Sequence, residues 1–322
     1  MKKEARKISL NSQINQTNHV PKHSHIGLIF TIIVLTLALM VCLTILLSKS
    51  QATNANTALV HINGVILSGS GPGYNDGNTY SDDISGLLEQ ISKNKKIKAV
   101  IFEINSPGGS AVGSSEIAYE IYKLRVLGIT SVALIREQGT SGAYWVASAC
   151  DMVYSHPLSI TGSIGVLASY LEYSSLLERF NITYERLNAG QYKDTLSPYR
   201  ELTNEERQIL QSKINLIQKA FVNQVARNRN MTEEEVQKLA TGMFYLGSEA
   251  KDLGLIDDLG LKEDVIEYIE QKENIKVKIK DYSPINSLLS GLYGLQDKAF
   301  FMMGKGLGLS LIESQNSFKI TA

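Results

Sequence analysis

The sequence predicts an α/β protein, a mostly parallel sheet with helices on its faces, preceded by one apolar segment long enough to span a membrane. Three observations carry this. From residue 57 onward, short apolar runs alternate with stretches of helical spacing. Glycine-rich turns follow several of those runs. And IGLIFTIIVLTLALMVCLTILL, from Ile26 to Leu47, contains no charged side chain.

The elements follow in order. ALVHINGVIL (58–67) reads as a strand. Residues 82–94 place Ile84, Leu87, Leu88 and Ile91 at helix spacing. KAVIFEI (98–104) is a buried strand, and 114–127 sets Ile117, Ile121 and Leu124 on one helical face, with Gly128 suited to the helix end. SVALI (131–135) is a strand, GAYWVASA (142–149) a helix of small residues, DMVYS (151–155) a fourth strand and ITYERL (182–187) a fifth. Thereafter the chain turns helical. Leu210, Ile214, Ile217, Phe221 and Val225 form a stripe along 204–229. Thr232 with Glu235 is a capping box, Ser248 can cap a helix ending at Leu253–Gly254, and 262–271 is helical before a last strand at 277–282. Such alternation implies a parallel sheet covered on its faces.

The apolar segment divides the chain. At about 1.5 Å per residue it crosses a hydrocarbon core of about 30 Å. It exceeds the roughly 7–15 apolar residues of a secretory signal, although small residues near Ala52 and Ala55 leave cleavage as an alternative. Lys2, Lys3, Arg6, Lys7 and Lys22 precede it against one acid, Glu4, while Lys49 alone follows closely. The positive-inside bias therefore places the N-terminus in the cytoplasm and the remainder outside. The expected organisation is a basic cytoplasmic tail (1–25), a transmembrane anchor (26–47), a polar linker (48–56), the α/β domain (57–282) and an extension (283–322). The extension is apolar in places but interrupted by glycines and by Asp297, Lys298 and Lys305, and would lie on lipid or on another subunit.

Composition excludes some functions. The 322 residues are 43% apolar, enough for a substantial core, and 32 basic side chains balance 32 acidic ones. No basic surface points to nucleic acid. Cys42 and Cys150 have no metal or redox spacing, so no metal or organic cofactor is implied.

Three turns after predicted strands can hold chemistry. INSPGGS (104–110) combines Pro107 with Gly108 and Gly109, a geometry able to aim bare N–H groups at one point, though taken without context an ordinary strand-to-helix turn accounts for such residues. GTSGAYW (139–145) puts Ser141 at a helix start with the Gly142 amide next to it; a simple helix N-cap would look the same. TGSIGV (161–166) places Ser163 in a third turn. A nucleophilic serine needs a base. Beyond the membrane segment there are two histidines: His61, alternating with apolar neighbours in a strand, and His156 beside Pro157. Either a Ser–His arrangement with His156 or an uncharged lysine would serve. Lys193, between a glycine-containing turn and the long amphipathic helix, is one candidate, although most lysines are solvated surface charges.

INSPGG, TSGAYWVAS, TGSIGV, GQYKDTLSPYRELTNEER and GSEAKDLGLID occur in that order behind one anchor. Over residues 57–271 the chain thereby resembles the signal peptide peptidase A family, serine proteases of the Clp/crotonase superfamily with its repeated β-β-α superhelical fold. The resemblance implies Ser141 as nucleophile, Lys193 as general base, the Gly109 and Gly142 amides as oxyanion donors, Gly108 close by, and Ser163 orienting the lysine. Thr140 and Ala143 depart from the family's usual Ala and Gly. It further implies apolar peptide substrates such as cleaved signal peptides, membrane lipid around the anchor, a plasma-membrane location with the catalytic domain on the outer face, and a homo-oligomeric ring, since larger relatives carry two such halves. A crotonase-like acyl-CoA enzyme and a non-catalytic membrane scaffold are the alternatives.

Overall fold

A computed structural model describes residues 31–36, 38–40, 54–72 and 76–282. The chain divides into two units, Met1–Asn54 and Ala55–Ala322. In the first, residues 31–36 and 38–40 are helical, with Ile32, Ile33, Val34, Leu35, Leu39 and Met40 exposed. Among the described residues no helix is long and apolar enough to cross a membrane. Most of the predicted anchor (26–47), the basic tail and the extension 283–322 lie outside the described residues.

The second unit is built on a nine-stranded sheet whose main path runs β2-β1-β3-β4-β5-β8. The strands are β1 (Thr57–Leu67), β2 (Thr79–Tyr80), β3 (Ala99–Gly109), β4 (Thr130–Thr140), β5 (Met152–Ser155), β6 (Ile160–Gly162), β7 (Phe244–Leu246), β8 (Asp258–Leu259) and β9 (Ile279–Asp281). All pair in parallel except β6 with β7. Parallel neighbours need crossovers, supplied by α1 (Ser81–Lys93), α2 (Ala111–Val126) and α3 (Gly142–Ser148). The remaining helices are α4 (Ser174–Arg179), α5 (Asn204–Arg229), α6 (Glu233–Leu239), α7 (Gly247–Asp252) and α8 (Lys262–Glu273). This mostly parallel α/β sheet fits a Clp/crotonase-like fold.

Period-two alternation sorts the strand residues onto two buried faces, which is why the central strands read as continuous apolar runs. Val60, Phe102, Ile104 and Ala133 meet α1, α2 and α3 on one side. Leu59, Ile101, Val132 and Leu134 meet Val265 and Ile269 of α8 on the other. β3 and β4 run beyond their apolar cores into INSPGG and EQGT, because the polar residues past the core still pair: Ser106 stands opposite Gly139 after a register shift.

Three sequence expectations are corrected. Residues 182–187 are not a strand. Their side chains are exposed, and the Ile182 amide donates to Leu177 O at the end of α4; alternation alone cannot make a strand without an edge to pair with. Ser248 is not a cap. α7 begins two residues earlier than such a cap requires, its N-cap being Leu246, with the Glu249 carboxylate accepting from the Leu246 amide at 2.8 Å and the Ser248 amide donating to Pro157 O. The stripe of α5 is buried only at its end. Phe221, Val222, Val225 and Ala226 are in the core, whereas Leu210 and Ile214 are half-buried and Ile217 is exposed. The capping boxes at Thr203/Glu206 and Thr232/Glu235 start α5 and α6.

Phe221 stacks on Trp145 with ring centroids 4.7 Å apart and fastens α5 to α3. Truncating a buried phenylalanine costs about 3–5 kcal/mol. Phe221→Ala is therefore expected to lower unfolding stability by that amount and to shift the emission of Trp145, the chain's single tryptophan, both read in one urea titration by fluorescence.

Candidate active site

The sequence-predicted turns converge at the carboxyl ends of β3, β4 and β6. Gly64, with φ +58°, lies where the β1–β3 register shifts between Asn63 and Val65. The Ser106 hydroxyl donates to Gly64 O at 2.6 Å and accepts from the Gly108 amide at 3.1 Å, so it binds the end of β3 to β1. Gly108 and Gly109 then take φ of +90° and +155°, open to glycine and strained for other residues. A β-carbon on Gly108 would stand 2.6 Å from Gly142 N and 3.0 Å from Ser141 Cβ. Gly108 is thus required by the close approach of the two turns as well as by its dihedrals, whereas Gly109 is required by its approach to β1, where a β-carbon would stand 2.2 Å from Ile66 O.

Ser141 carries the clearest signature. It is a non-glycine residue at φ 53°, ψ −123°, a conformation that costs on the order of 1–3 kcal/mol and persists only when its surroundings enforce it. Those surroundings are visible: its amide donates to Gly162 O at 2.8 Å, its carbonyl accepts from the Trp145 amide at 3.0 Å, and Gly142 to Ser148 are all buried. It occupies the N-cap position of α3, yet its side chain makes no capping hydrogen bond. The simple-cap use of this serine is therefore not what the structure shows; the hydroxyl is left uncommitted among the described residues.

The Gly142 amide opens α3, where the first amides of a helix have no intrahelical acceptor. A methyl placed on Gly142 would lie 3.3 Å from Gly109 N and 2.3 Å from the Ser114 hydroxyl. Gly109, Gly142 and Ser141 are consequently one cluster. Ser163, at φ 50°, follows the Gly162 whose carbonyl accepts from Ser141. Its hydroxyl donates to Gly242 O at 2.9 Å and its amide to Met243 O at 3.1 Å.

Lys193 lies elsewhere in the chain's layout, on a run of turns at residues 191–196 within a segment, 166–203, that is largely exposed. Its amide donates to Gly190 O, and among the described residues no hydrogen bond joins its amine to Ser141. The segment exposes large apolar side chains, among them Leu167 at 88%, Leu171 at 71% and Leu187 at 104%. Its polar side chains are nonetheless tightly organised. Asp194 accepts from Arg200 Nε at 2.7 Å and Arg186 Nη1 at 2.9 Å, and the Arg200 fork also holds Glu206. Arg200 and Arg186 keep the Asp194 carboxyl below its ordinary range; Arg200 and the Thr203 amide push that of Glu206 well below.

The histidines take other roles. His61 Nε2 lies 3.0 Å from Asp281 Oδ2 and its Nδ1 3.7 Å from Glu103 Oε1, tying β9 and β3 to β1. His156 Nδ1 accepts from the Leu158 amide at 3.1 Å and lines a pocket of about 390 Å3 with Arg136, Glu137, Ser159, Gly260 and Leu261. No hydrogen bond joins it to Ser141 among the described residues. Cys150 is buried, with its thiol pKa well above the ordinary value through desolvation. The described residues contain no group of three His, Cys, Asp or Glu side chains placed to hold a metal ion.

Sequence reading missed Ser106 and Ser114. Both are serines beside helix starts or strand ends, and no periodicity distinguishes them. It also missed the Asp194–Arg200–Glu206 network, although Thr203-x-x-Glu206 is a legible capping box.

The features define a class: an α/β protein that presents a serine on a strained strand-to-helix turn at the carboxyl ends of a parallel sheet, beneath paired glycine turns. Comparison with known proteins places it further. Residues 124–276 match the model of peptidase family S49. A protein of Methanocaldococcus jannaschii, whose name assigns it provisionally to the proteases, is 34% identical over 223 residues, 69% of this chain and 71% of its own. An Enterococcus faecium protein named, again provisionally, signal peptide peptidase SppA is 32% identical over 228 residues, covering 70% of this chain and 66% of that one. The chloroplastic serine protease SPPA of Arabidopsis thaliana is 28% identical over 225 residues, 69% of this chain but 33% of its own length. The chain belongs to peptidase family S49, the signal peptide peptidase A family of serine proteases.

Two outcomes follow from the packing. Gly142→Ala should lower thermal stability by the equivalent of about 1–3 kcal/mol, the usual range for overpacking. Because the obstruction is the Ser114 hydroxyl, the double variant Ser114→Ala/Gly142→Ala should recover part of that loss in a melting experiment. Acid should loosen the 184–206 region. Asp194 and Glu206 have folded-state pKa values below their ordinary 3.8 and 4.5, so their stabilisation is complete above those values and fades as pH falls through the depressed ones. Limited pepsin digestion should therefore open this segment between about pH 4 and pH 2, before the core.

Proposed function

We propose that the protein is a membrane-anchored serine endopeptidase that hydrolyses apolar peptides, such as cleaved signal peptides, through an acyl-enzyme formed by Ser141 with Lys193 as general base. The observation that carries this reading is the Ser141 turn: a strained backbone holds an uncommitted hydroxyl beside the Gly109 and Gly142 amides.

In this reading Lys193 in its uncharged form takes the proton of Ser141 Oγ. The oxygen attacks the scissile carbonyl, and the Gly109 and Gly142 amides hold the developing oxyanion. The lysine then returns the proton to the leaving amine, and water repeats the sequence on the ester. Removing one oxyanion donor costs about 2.7–4 kcal/mol of barrier in comparable sites. Gly108 contributes by letting the two turns meet, and the Ser163 hydroxyl is available to accept a hydrogen bond from the lysine amine.

A lysine serves as base only where burial lowers its affinity for a proton, from about 10.4 in water by about 3–5 units. The exposed position of Lys193 and the exposed apolar side chains around it support an assembly in which a second copy covers this segment and completes the site, in a ring of identical subunits. The run Ile26–Leu47 would anchor the ring in the plasma membrane, with the sheet domain on the outer face beside newly cleaved signal peptides.

Ser141→Ala and Lys193→Met should each abolish cleavage of an apolar fluorogenic peptide, and a fluorophosphonate should modify Ser141 of the intact protein. Coassembly of the two inactive variants in equal amounts should restore roughly a quarter of the sites if each serine meets a neighbour's lysine. Activity retained by purified Lys193→Met would falsify the lysine assignment; no recovery on coassembly would place the dyad within one copy.

A further inference from the structure

Four consecutive residues around the proposed base are treated differently by the fold. Tyr192 donates its hydroxyl to Glu205 Oε1. Asp194 receives Arg200 Nε at 2.7 Å on its carboxylate and Arg200 Nη2 at 3.0 Å on its backbone carbonyl. Thr195 donates its hydroxyl to Glu206 Oε1 at 2.9 Å. Lys193 alone makes no side-chain hydrogen bond or ion pair among the described residues. Tyr192 and Thr195, on either side of the lysine, are therefore fastened to the first turn of α5, and Arg200 joins Asp194 to the same turn through Glu206. Its guanidinium also gives Nη1 to Glu206 Oε2 at 2.9 Å and to Glu201 O at 2.9 Å, and Nη2 to Glu206 Oε1 at 2.6 Å. A planar fork with five donors can satisfy this set of acceptors; an ammonium cannot.

Charge adds a second consequence. Asp194 adjoins Lys193 in the chain, Glu205 and Glu206 hold Tyr192 and Thr195 on either side of it, and an uncompensated carboxylate beside a lysine favours the ammonium form. Arg200 and Arg186 both engage Asp194, Arg200 engages Glu206, and the neighbouring Tyr184 hydroxyl donates to Asp194 at 3.1 Å.

We propose that Arg200 is a positioning residue for the proposed Ser–Lys reaction: it locks the Lys193 turn onto the start of α5 and neutralises the carboxylates that would otherwise hold the base protonated. This rests on Lys193 being the base. Arg200 acts through Asp194 and Glu206 and touches no reacting atom itself.

The test uses full-length detergent-solubilised protein and the pH dependence of kcat/KM for an apolar fluorogenic peptide. Arg200→Gln is expected to lower kcat/KM by about tenfold or more and to move the midpoint of its acid limb upward by about half a unit or more. In Arg200→Gln/Asp194→Asn, where one orphaned carboxylate is also removed, the midpoint should return toward wild type while the rate stays low. Arg200→Lys should keep the midpoint and still lose rate, since the charge remains and the fork is lost. An arginine acting only on stability would lower the folded fraction without moving the midpoint. If Arg200→Gln gives no folded protein, Arg186→Gln carries the same test, with a smaller upward shift expected. An unmoved midpoint in the folded variants, or full activity in Arg200→Lys, overturns the proposal. Lys193→Met serves as the control. If it is inactive while the midpoint stays put, the positioning role alone fails; if it is active, the base assignment and the positioning role fall together.

Discussion

At Gly108 two backbones meet with no room for a β-carbon, and the rest of the site depends on that approach. The end of β3 must come within van der Waals reach of the turn leaving β4. Only then do the Gly109 and Gly142 amides share a neighbourhood, and only then is Ser141 held at a positive φ. The strain at Ser141 is sustained by what surrounds it: the Gly162 carbonyl on its amide, the buried α3 behind it and the Ser106 hydroxyl closing the bulge between β1 and β3. A strained residue at a strand end is affordable because the sheet below it is buried on both faces. Core and site are in this sense one construction, the first supplying the rigidity that the second consumes.

The segment 166–203 is organised on a different principle. The sheet domain hides apolar side chains and exposes polar ones; this segment exposes Leu167, Leu171 and Leu187 while its arginines and carboxylates bind one another. Ion pairs at partly exposed positions contribute little to stability by themselves. Their use is geometric, because a bidentate arginine between Asp194 and Glu206 sets the path of the chain. A region with fixed polar geometry and bare apolar side chains suits coverage by another surface, and a second copy is the occupant that the proposed ring provides. The chain spans about a third of the length of the Arabidopsis serine protease that it matches.

Much of the fold was legible because burial on both sides of a parallel sheet leaves an unambiguous trace. Strands β1, β3, β4 and β5, helices α1, α2, α3, α5, α6 and α8, and the Thr232/Glu235 capping box follow from apolar runs, helical spacing and cap residues. The strand expected at 182–187 failed because alternation states which side chains could share a face, not whether an edge exists for the strand to join. Short strands β2, β6, β7 and β8 escaped notice, since two or three residues carry no periodicity.

The sequence by itself determined the family, through five motifs in fixed order, and it determined the candidate residues Gly108, Gly109, Ser141, Gly142, Ser163 and Lys193. Glycines next to a serine after a strand are a local pattern, and local patterns survive in one dimension. The tertiary structure alone decided that the glycines at 108 and 142 pack against each other, that the Ser141 hydroxyl is not spent on a cap, and that Arg200 gathers the residues around Lys193. Those are relations between segments brought together by pairing across the sheet or by long side chains reaching over turns, and no spacing along the chain encodes them.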